Sequence, residues 1–357
     1  MANDPKVRLL YEDFYQQVGV SAAWTPPAKI SVYRDALTKG RTTPRPRNSA
    51  ADKARLARIA DKAPEVMIKI TGRTRESGHL KAHMDYITRN GEVGAETDYG
   101  NMKGKDAVAD MHADWSDDEI IYAGQYQFRK APLSVNMVLS MPPGVDRDAF
   151  RNAVRDFVDA ELLPRVDVMV AFHDDTEHPH AHVTVRGRQH NGKTFNPGKP
   201  VLQRYREQFA GALRHRGIEA EATPRYVRGH TMKSERSHVR QMRERGLMPR
   251  SESAAIRDAY NDLRRSGGTD GRKRPWEGAA RARHAGIKHV YSAAARELAA
   301  SANPADRELA KKVEAFVQSM PSPAFAHDLY KQALARQLAE RTKPPPTTTK
   351  QRDGPER

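Results

Sequence analysis

The run His173-Asp174-Asp175-Thr176-Glu177-His178-Pro179-His180-Ala181-His182 constrains the fold of this chain more than any other ten residues. Before it, Val166 to Phe172 is short, apolar and β-branched, which reads as a buried strand. From His180 to Val185 the sequence alternates with period two, which reads as a second strand. The acidic, proline-containing segment from Asp174 to Pro179 is then the turn of a hairpin. Alternation puts His180 and His182 on one face, and the hairpin brings His173 opposite them. Three neutral imidazoles converging on one point, with carboxylates close by to orient them, are what a divalent metal needs. The competing reading is a solvated acidic tip with incidental histidines. It leaves the two-residue spacing and the apolar strands unexplained. His178, in the turn beside Pro179, either contacts substrate or faces water.

The 357 residues include no cysteine, which excludes thiolate metal sites, disulfides and cysteine nucleophiles. That composition suits a reducing cytoplasm, the expected location. No apolar run approaches the ~20 residues needed to span a bilayer. Met1 to Leu10 lacks a secretory pattern. The net charge of +16 and a pI near 9.9 point to a polyanionic partner, nucleic acid ahead of an anionic membrane surface.

Residues 1–64 read as an extension. Leu9, Leu10, Phe14 and Val18 suit a short amphipathic helix, Lys39 to Arg47 a basic linker, and Ala50 to Ala63 a second helix. A core spans 65–230. It begins with an alternating strand from Val66 to Gly72. A helix follows over His79 to Arg89, with Leu80, Met84 and Ile87 as its buried stripe and Asn90-Gly91 ending it. Leu133 to Met141 is a strand broken by Pro142-Pro143-Gly144. Asp146 to Leu163 is a helix burying Phe150, Val154, Phe157 and Val158. After the hairpin, Lys199 to Gly217 is a helix with Leu202, Tyr205, Phe209 and Leu213 on one face. This order predicts an α+β class: a central antiparallel sheet, the histidine strands in the middle, and helices packed on it.

A basic, mostly helical region is expected over 231–340. Arg225 to Arg265 holds eleven Arg and Lys against five Asp and Glu. Its aromatics are Tyr226 and Tyr260, so phosphate contacts are expected there more than base stacking. A solvated helix is the alternative. Ala279 to Leu298 and Asp306 to Leu338 read as helices, and 341–357 as a disordered tail.

A metal held by three histidines keeps coordination positions open and can polarise a phosphate oxygen. The nucleophile is then a bound water or a side chain. Tyr86 falls off the apolar stripe of its helix and lines up with His79 and His83. It sits just before Arg89-Asn90-Gly91, where it can approach a backbone phosphate. Taken alone, such a tyrosine more often packs its ring at a boundary.

The core resembles the relaxases, the mobilisation nucleases of conjugative plasmids, in the branch of the T-DNA border endonucleases. His173 to His182 fit that family's H-x-D-x-x-H-P-H-x-H motif at every specified position. Tyr86-Ile87-Thr88-Arg89-Asn90-Gly91 is similar to its tyrosine motif, with Asn90 where lysine is common. Ser140-Met141-Pro142-Pro143-Gly144 is similar to its Ser-Phe-Pro-x-Gly strand end, and Tyr226-Val227-Arg228-Gly229 to a following Arg-Gly motif. The resemblance runs from about Val66 to Gly229. The long segment before Glu65 departs from the family plan, in which the tyrosine lies near the N-terminus.

The resemblance implies single-stranded DNA as substrate, nicked at an origin of transfer. Tyr86 is the implied nucleophile, leaving a 5′-phosphotyrosyl link, and rejoining is the reverse step. His173, His180 and His182 would hold Mg²⁺ or Mn²⁺, although three imidazoles suit a transition metal better. Asp175 would orient a histidine or assist proton transfer from the phenol. Arg89, Ser140, His178 and Arg228 would touch DNA. A relaxosome accessory protein and a type IV secretion coupling protein are implied partners, with passage to a recipient cell on the DNA. Other readings are a replication-initiator or transposase nuclease of the same mechanism, a metal-dependent phosphoesterase using bound water, and a non-catalytic DNA-binding protein.

Overall fold

Alternating apolar residues in four segments and helical stripes between them build a three-layer unit, seen in a computed structural model that describes residues 50–125, 131–230, 237–266 and 275–341. These residues fall into two compact units that meet in sequence between Pro224 and Arg225. The first runs α1 (Ala50–Ala60), β1 (Met67–Thr74), α2 (Ser77–Thr88), β2 (Ala95–Thr97), β3 (Gly100–Met102), α3 (Lys105–Gln125), β4 (Ser134–Ser140), α4 (Arg147–Glu161), β5 (Val168–His173), β6 (His180–Arg186) and α5 (Lys199–His215). The fold class is α+β, as expected. The strands form one antiparallel sheet in the order β1-β4-β6-β5-β2-β3, with the histidine strands β5 and β6 at its centre.

The period-two pattern sorts the side chains of β5 and β6 between two cores. Val168 and Val170 of β5 and Ala181, Val183 and Val185 of β6 face α4 and α5. There they meet Phe150, Phe157, Tyr205 and Phe209. Met169 and Ala171 face the other way, onto Leu80, Met84 and Ile87 of α2 and Val108, Met111 and Trp115 of α3. By the same alternation, His173, His180, His182, Thr184 and Arg186 face the α2–α3 side.

Three elements fall where the sequence pattern predicted none, between Gly91 and Leu133: β2, β3 and α3. β2 and β3 are too short to display a period. The stripe of α3 is Val108, Met111 and Trp115, spaced by three and four, and that signal was present. The end of α2 also differs from expectation. Its left-handed cap is Arg89 (φ 50°), followed by Asn90 (φ 56°) and Gly91 (φ 86°). At Gly91 a Cβ would stand 2.5 Å from the Gly104 carbonyl carbon, so glycine is needed there for close approach of the chain leading into α3.

α1 packs into this unit. Leu56 and Ile59 are buried, and Arg58 Nε donates to Glu221 Oε2 at 2.8 Å. The amphipathic helix near Leu9, the basic linker and the C-terminal tail lie outside the described residues.

The second unit contains α6 (Ser237–Glu244), α7 (Arg250–Ser266), α8 (Pro275–Ala299), α9 (Pro304–Ser319) and α10 (Ala326–Arg341). The single stretch expected over Asp306 to Leu338 is two helices. Pro321 and Pro323 follow the cap of α9 at Met320, and neither can continue a helical hydrogen-bond ladder. The Arg228 motif belongs to this unit. Gly229 (φ 82°) abuts Met320, and Tyr291 Oη donates to the Val227 carbonyl at 3.1 Å. No described helix is long and apolar enough to cross a membrane.

Candidate active site

The hairpin register does what the spacing promised. His173 pairs directly with His180, and His182 lies opposite Ala171. One ring nitrogen from each of His173, His180 and His182 lies within 4.8 Å of the others. The ring centroids are 4.6 to 5.4 Å apart.

Backbone carbonyls orient two of these rings, where carboxylates were expected. His173 Nε2 donates to the Ile87 carbonyl at 2.7 Å. A carbonyl only accepts, so the proton sits on Nε2 and Nδ1 keeps its lone pair for a metal. Ile87 O is one of the last carbonyls of α2, which lack a partner within their own helix. His180 Nδ1 lies 3.1 Å from the His178 carbonyl, which leaves its Nε2 for the metal. His182 is pushed down to about 4 by burial first, then by His173, His180 and His83. It is therefore neutral at physiological pH, the form that ligates a cation. The donor set fits a divalent cation.

Tyr86 belongs to the same construction. Leu80, Met84 and Ile87 anchor α2 in the core, and Tyr86 projects from the free side with 68% of its surface exposed. Its ring meets His182 edge-on at 6.0 Å between centroids. α2 is tied down along its length. At its start, Ser77 Oγ, His112 Nε2 and Ser116 Oγ lie within 3.0 Å of one another. One turn before Tyr86, a His83 ring nitrogen meets Thr184 Oγ1 at 2.9 Å, and burial lowers the His83 pKa to about 4. At its end come the Ile87–His173 bond and an ion pair between Arg89 and Asp175.

The remaining expected residues are placed as follows. Asp175 pairs with Arg89. Desolvation pushes its carboxyl up, but its own backbone N–H, Arg89 and His173 outweigh this and hold it below the usual carboxylate range. Ser140 pairs with His180 across the β4–β6 ladder, yet it is buried and donates to the Met141 carbonyl. His178 is exposed, and its carbonyl accepts from Thr176 Oγ1. Arg228 sits in a turn of the other unit. The Tyr86 side of the cage is a groove of about 550 Å³ lined by Asp85, Tyr86, Arg89, His173, Asp175 and His180, among others.

The sequence reading missed the residues that brace the hairpin turn. Arg147 Nη2 donates to the Thr176 carbonyl at 2.7 Å, and Arg147 and Arg151 both pair with Asp174. A signal existed: arginine in a first helical turn opposes the helix dipole and needs a reason.

Residues 86–217 match the family model described as "Relaxase: MobA/VirD2-like, nuclease domain". The match begins at Tyr86 and contains the whole histidine hairpin. This stretch of the chain is similar to the relaxase nuclease domain.

A curated relaxase relative, the T-DNA border endonuclease VirD2 of Rhizobium radiobacter, is 27% identical over 184 residues, covering 46% of this chain and 43% of that protein. The chain therefore spans less than half the length of that relative. A solved structure from work on the molecular basis of vancomycin resistance transfer in Staphylococcus aureus aligns at 11% identity and a TM-score of 0.33. It covers 45% of this chain and 99% of that one, and at that score adds nothing to the assignment. The region similar to the relaxase nuclease domain thus holds the phenol, the histidine cage and the Arg89–Asp175 pair on one face of the sheet.

Proposed function

We propose that this relaxase nicks and rejoins one DNA strand at an origin of transfer by transesterification at Tyr86, with a divalent metal in the histidine cage. The observation that carries this reading is the exposed Tyr86 ring lying edge-on to His182, on a helix whose last carbonyls orient His173.

The Tyr86 oxygen attacks the scissile phosphorus. An Oη–P bond forms, the P–O3′ bond breaks, and the 3′ oxygen leaves as a hydroxyl after taking a proton. Phenol titrates near ~10, so an acceptor must take its proton as the bond forms. Asp175 is ionised at neutral pH and is assigned that role, directly or through a histidine. Arg89, now paired to Asp175, turns to the phosphate and frees the carboxylate. A divalent cation held by His173, His180 and His182 supplies Lewis-acid stabilisation of charge on the phosphate oxygens. The ester is exchanged and its energy kept, so the 3′-hydroxyl can attack the phosphotyrosine and restore the strand without ATP. Arg228 and the basic residues of α6 and α7 neutralise backbone phosphates. Relaxosome and secretion coupling proteins are the proposed partners in a cytoplasmic setting, with export on the DNA.

The test is incubation of labelled single strands from the DNA flanking this gene with Mn²⁺, followed by denaturing electrophoresis. A protein–DNA adduct that Tyr86→Phe abolishes is expected. Cleavage without an adduct, retained in Tyr86→Phe, would replace this reading with a phosphoesterase using bound water.

A further inference from the structure

A second cleft, of about 570 Å³, lies beyond the Arg89–Asp175 pair from the Tyr86 groove. It exists because two ladders end at different points. β5 pairs with β2 only as far as Ala171–Ala95, whereas β5 and β6 pair out to His173–His180. The strand edge at Phe172 and His173 therefore has no β2 residue beside it, and a gap opens there. Both clefts are lined by Arg89, His173 and Asp175, so they meet at the cage.

The lining suits a nucleotide. Met102 offers apolar surface to a base or sugar, Phe172 forms the wall with its ring against the Arg151 and Arg155 guanidiniums at 5.3 and 5.6 Å, and Asn101 is an exposed amide at the rim. Lys103 is exposed and has no ion pair among the described residues. Arg151 is paired to Asp174 with side chains 32% and 50% exposed, and Arg89 to Asp175 at 46% and 48%. Exposed pairs of this kind contribute little, so a phosphate can take either arginine from its carboxylate. The volume lies within the ~300–1,000 Å³ typical of ligand sites. An occupant joined to whatever reaches Tyr86 must be part of a continuous strand. The carboxylates of the lining are each paired with arginine: Glu96 with Arg155, Asp174 with Arg147 and Arg151, and Asp175 with Arg89.

We infer that this cleft is a flanking-nucleotide subsite: it takes a nucleotide next to the scissile phosphate, with a backbone phosphate between Lys103 and Arg151. The inference rests on the proposed strand-transfer reading and adds where the strand runs.

The absence of native cysteine allows a direct test. Lys103→Cys, carrying a photoactivatable crosslinker, is mixed with Mn²⁺ and a pool of random-sequence single-stranded 30-mers. Lys193→Cys, exposed beyond the opposite end of β6, is the control. Sequencing of strands attached at Tyr86 locates the break, and the crosslinked position is mapped against it. Crosslinks from position 103 within about three nucleotides of the break, on one side and at least tenfold above the control, are expected. In parallel, Lys103→Ala should weaken dT20 binding about three- to tenfold and lower the log Kd against log salt slope by ~0.7, one phosphate contact on a single strand. Crosslinking at the control level with an unchanged salt slope, while the Tyr86 adduct still forms, overturns the subsite and leaves the nicking reading standing. Loss of the adduct with crosslinking intact overturns the nicking reading and leaves a strand-binding cleft.

Discussion

On the α2–α3 face of β6, His180 and His182 stand at one end and Arg186 at the other, separated by Thr184. The Arg186 end is saturated. Its guanidinium meets Asp118 at 2.9 Å and Asp167 and Asp114 at 3.0 Å, and Asp167 also holds His190 at 2.8 Å. Burial opposes the Arg186 charge, but these carboxylates outweigh it and raise its pKa. The histidine end has the reverse arrangement. Its proton-bearing nitrogens at His173 and His180 are spent on carbonyls, and the lone pairs left over converge with no cation supplied by the chain. One strand thus carries a completed charge cluster at one end and three convergent imidazole donors at the other. The first holds α3 to the sheet, and the second could hold a cation.

That contrast can be broken from either end. The largest effect is expected from Arg186→Met. It leaves Asp118, 2% exposed, with only Arg188 at 4.0 Å and Asp167 with only His190, a loss of ~3–5 kcal/mol in urea unfolding, while metal affinity of the folded protein is unchanged. The reverse outcome, lost metal binding with stability intact, would tie the two ends into one site. Next comes His182→Ala, expected to lower adduct formation ~10²- to 10³-fold while the metal-free melting temperature stays near that of the parent. Third, Mn²⁺ at a hundred times its Kd should stabilise the parent by ~2.7 kcal/mol, with chelator reversing the gain and His182→Ala abolishing it.

A smaller effect is expected with pH. His83 and His182 titrate near 4 in the folded chain against 6.5 when unfolded. Between those values the unfolded chain binds more protons, so metal-free stability is full above 6.5 and falls as pH drops toward 4. His83→Gln should flatten part of that slope in pH-dependent melting, and an unaltered slope would contradict the burial of the ring. The smallest effect is expected for Arg89→Ala. Its exposed pair with Asp175 should contribute under ~1 kcal/mol to stability, whereas adduct formation should fall severalfold or more.

Much of this architecture was legible in advance because side-chain period reports which face is buried. The stripes of α2, α4 and α5 and the alternation of β5 and β6 needed no knowledge of their neighbours. β2 and β3, three residues each, are strands only because the edge of β5 recruits them. The break between α9 and α10 was readable from Pro321 and Pro323 but was overridden by the apolar pattern around it. At the site, the three histidines were legible from spacing. Their orienters were not, because the Ile87 and His178 carbonyls belong to every residue type alike.

The sequence alone determined the convergence of three histidines, the exposed phenol on its helix and the antiparallel core, since each follows from residue type at a fixed local period. Only the tertiary structure decided that the last carbonyls of α2 aim His173, that Arg89 holds Asp175, and that β2 stops short of His173 to open a second cleft. Those facts depend on where separate segments end in space, and no local pattern encodes where one ladder stops relative to another.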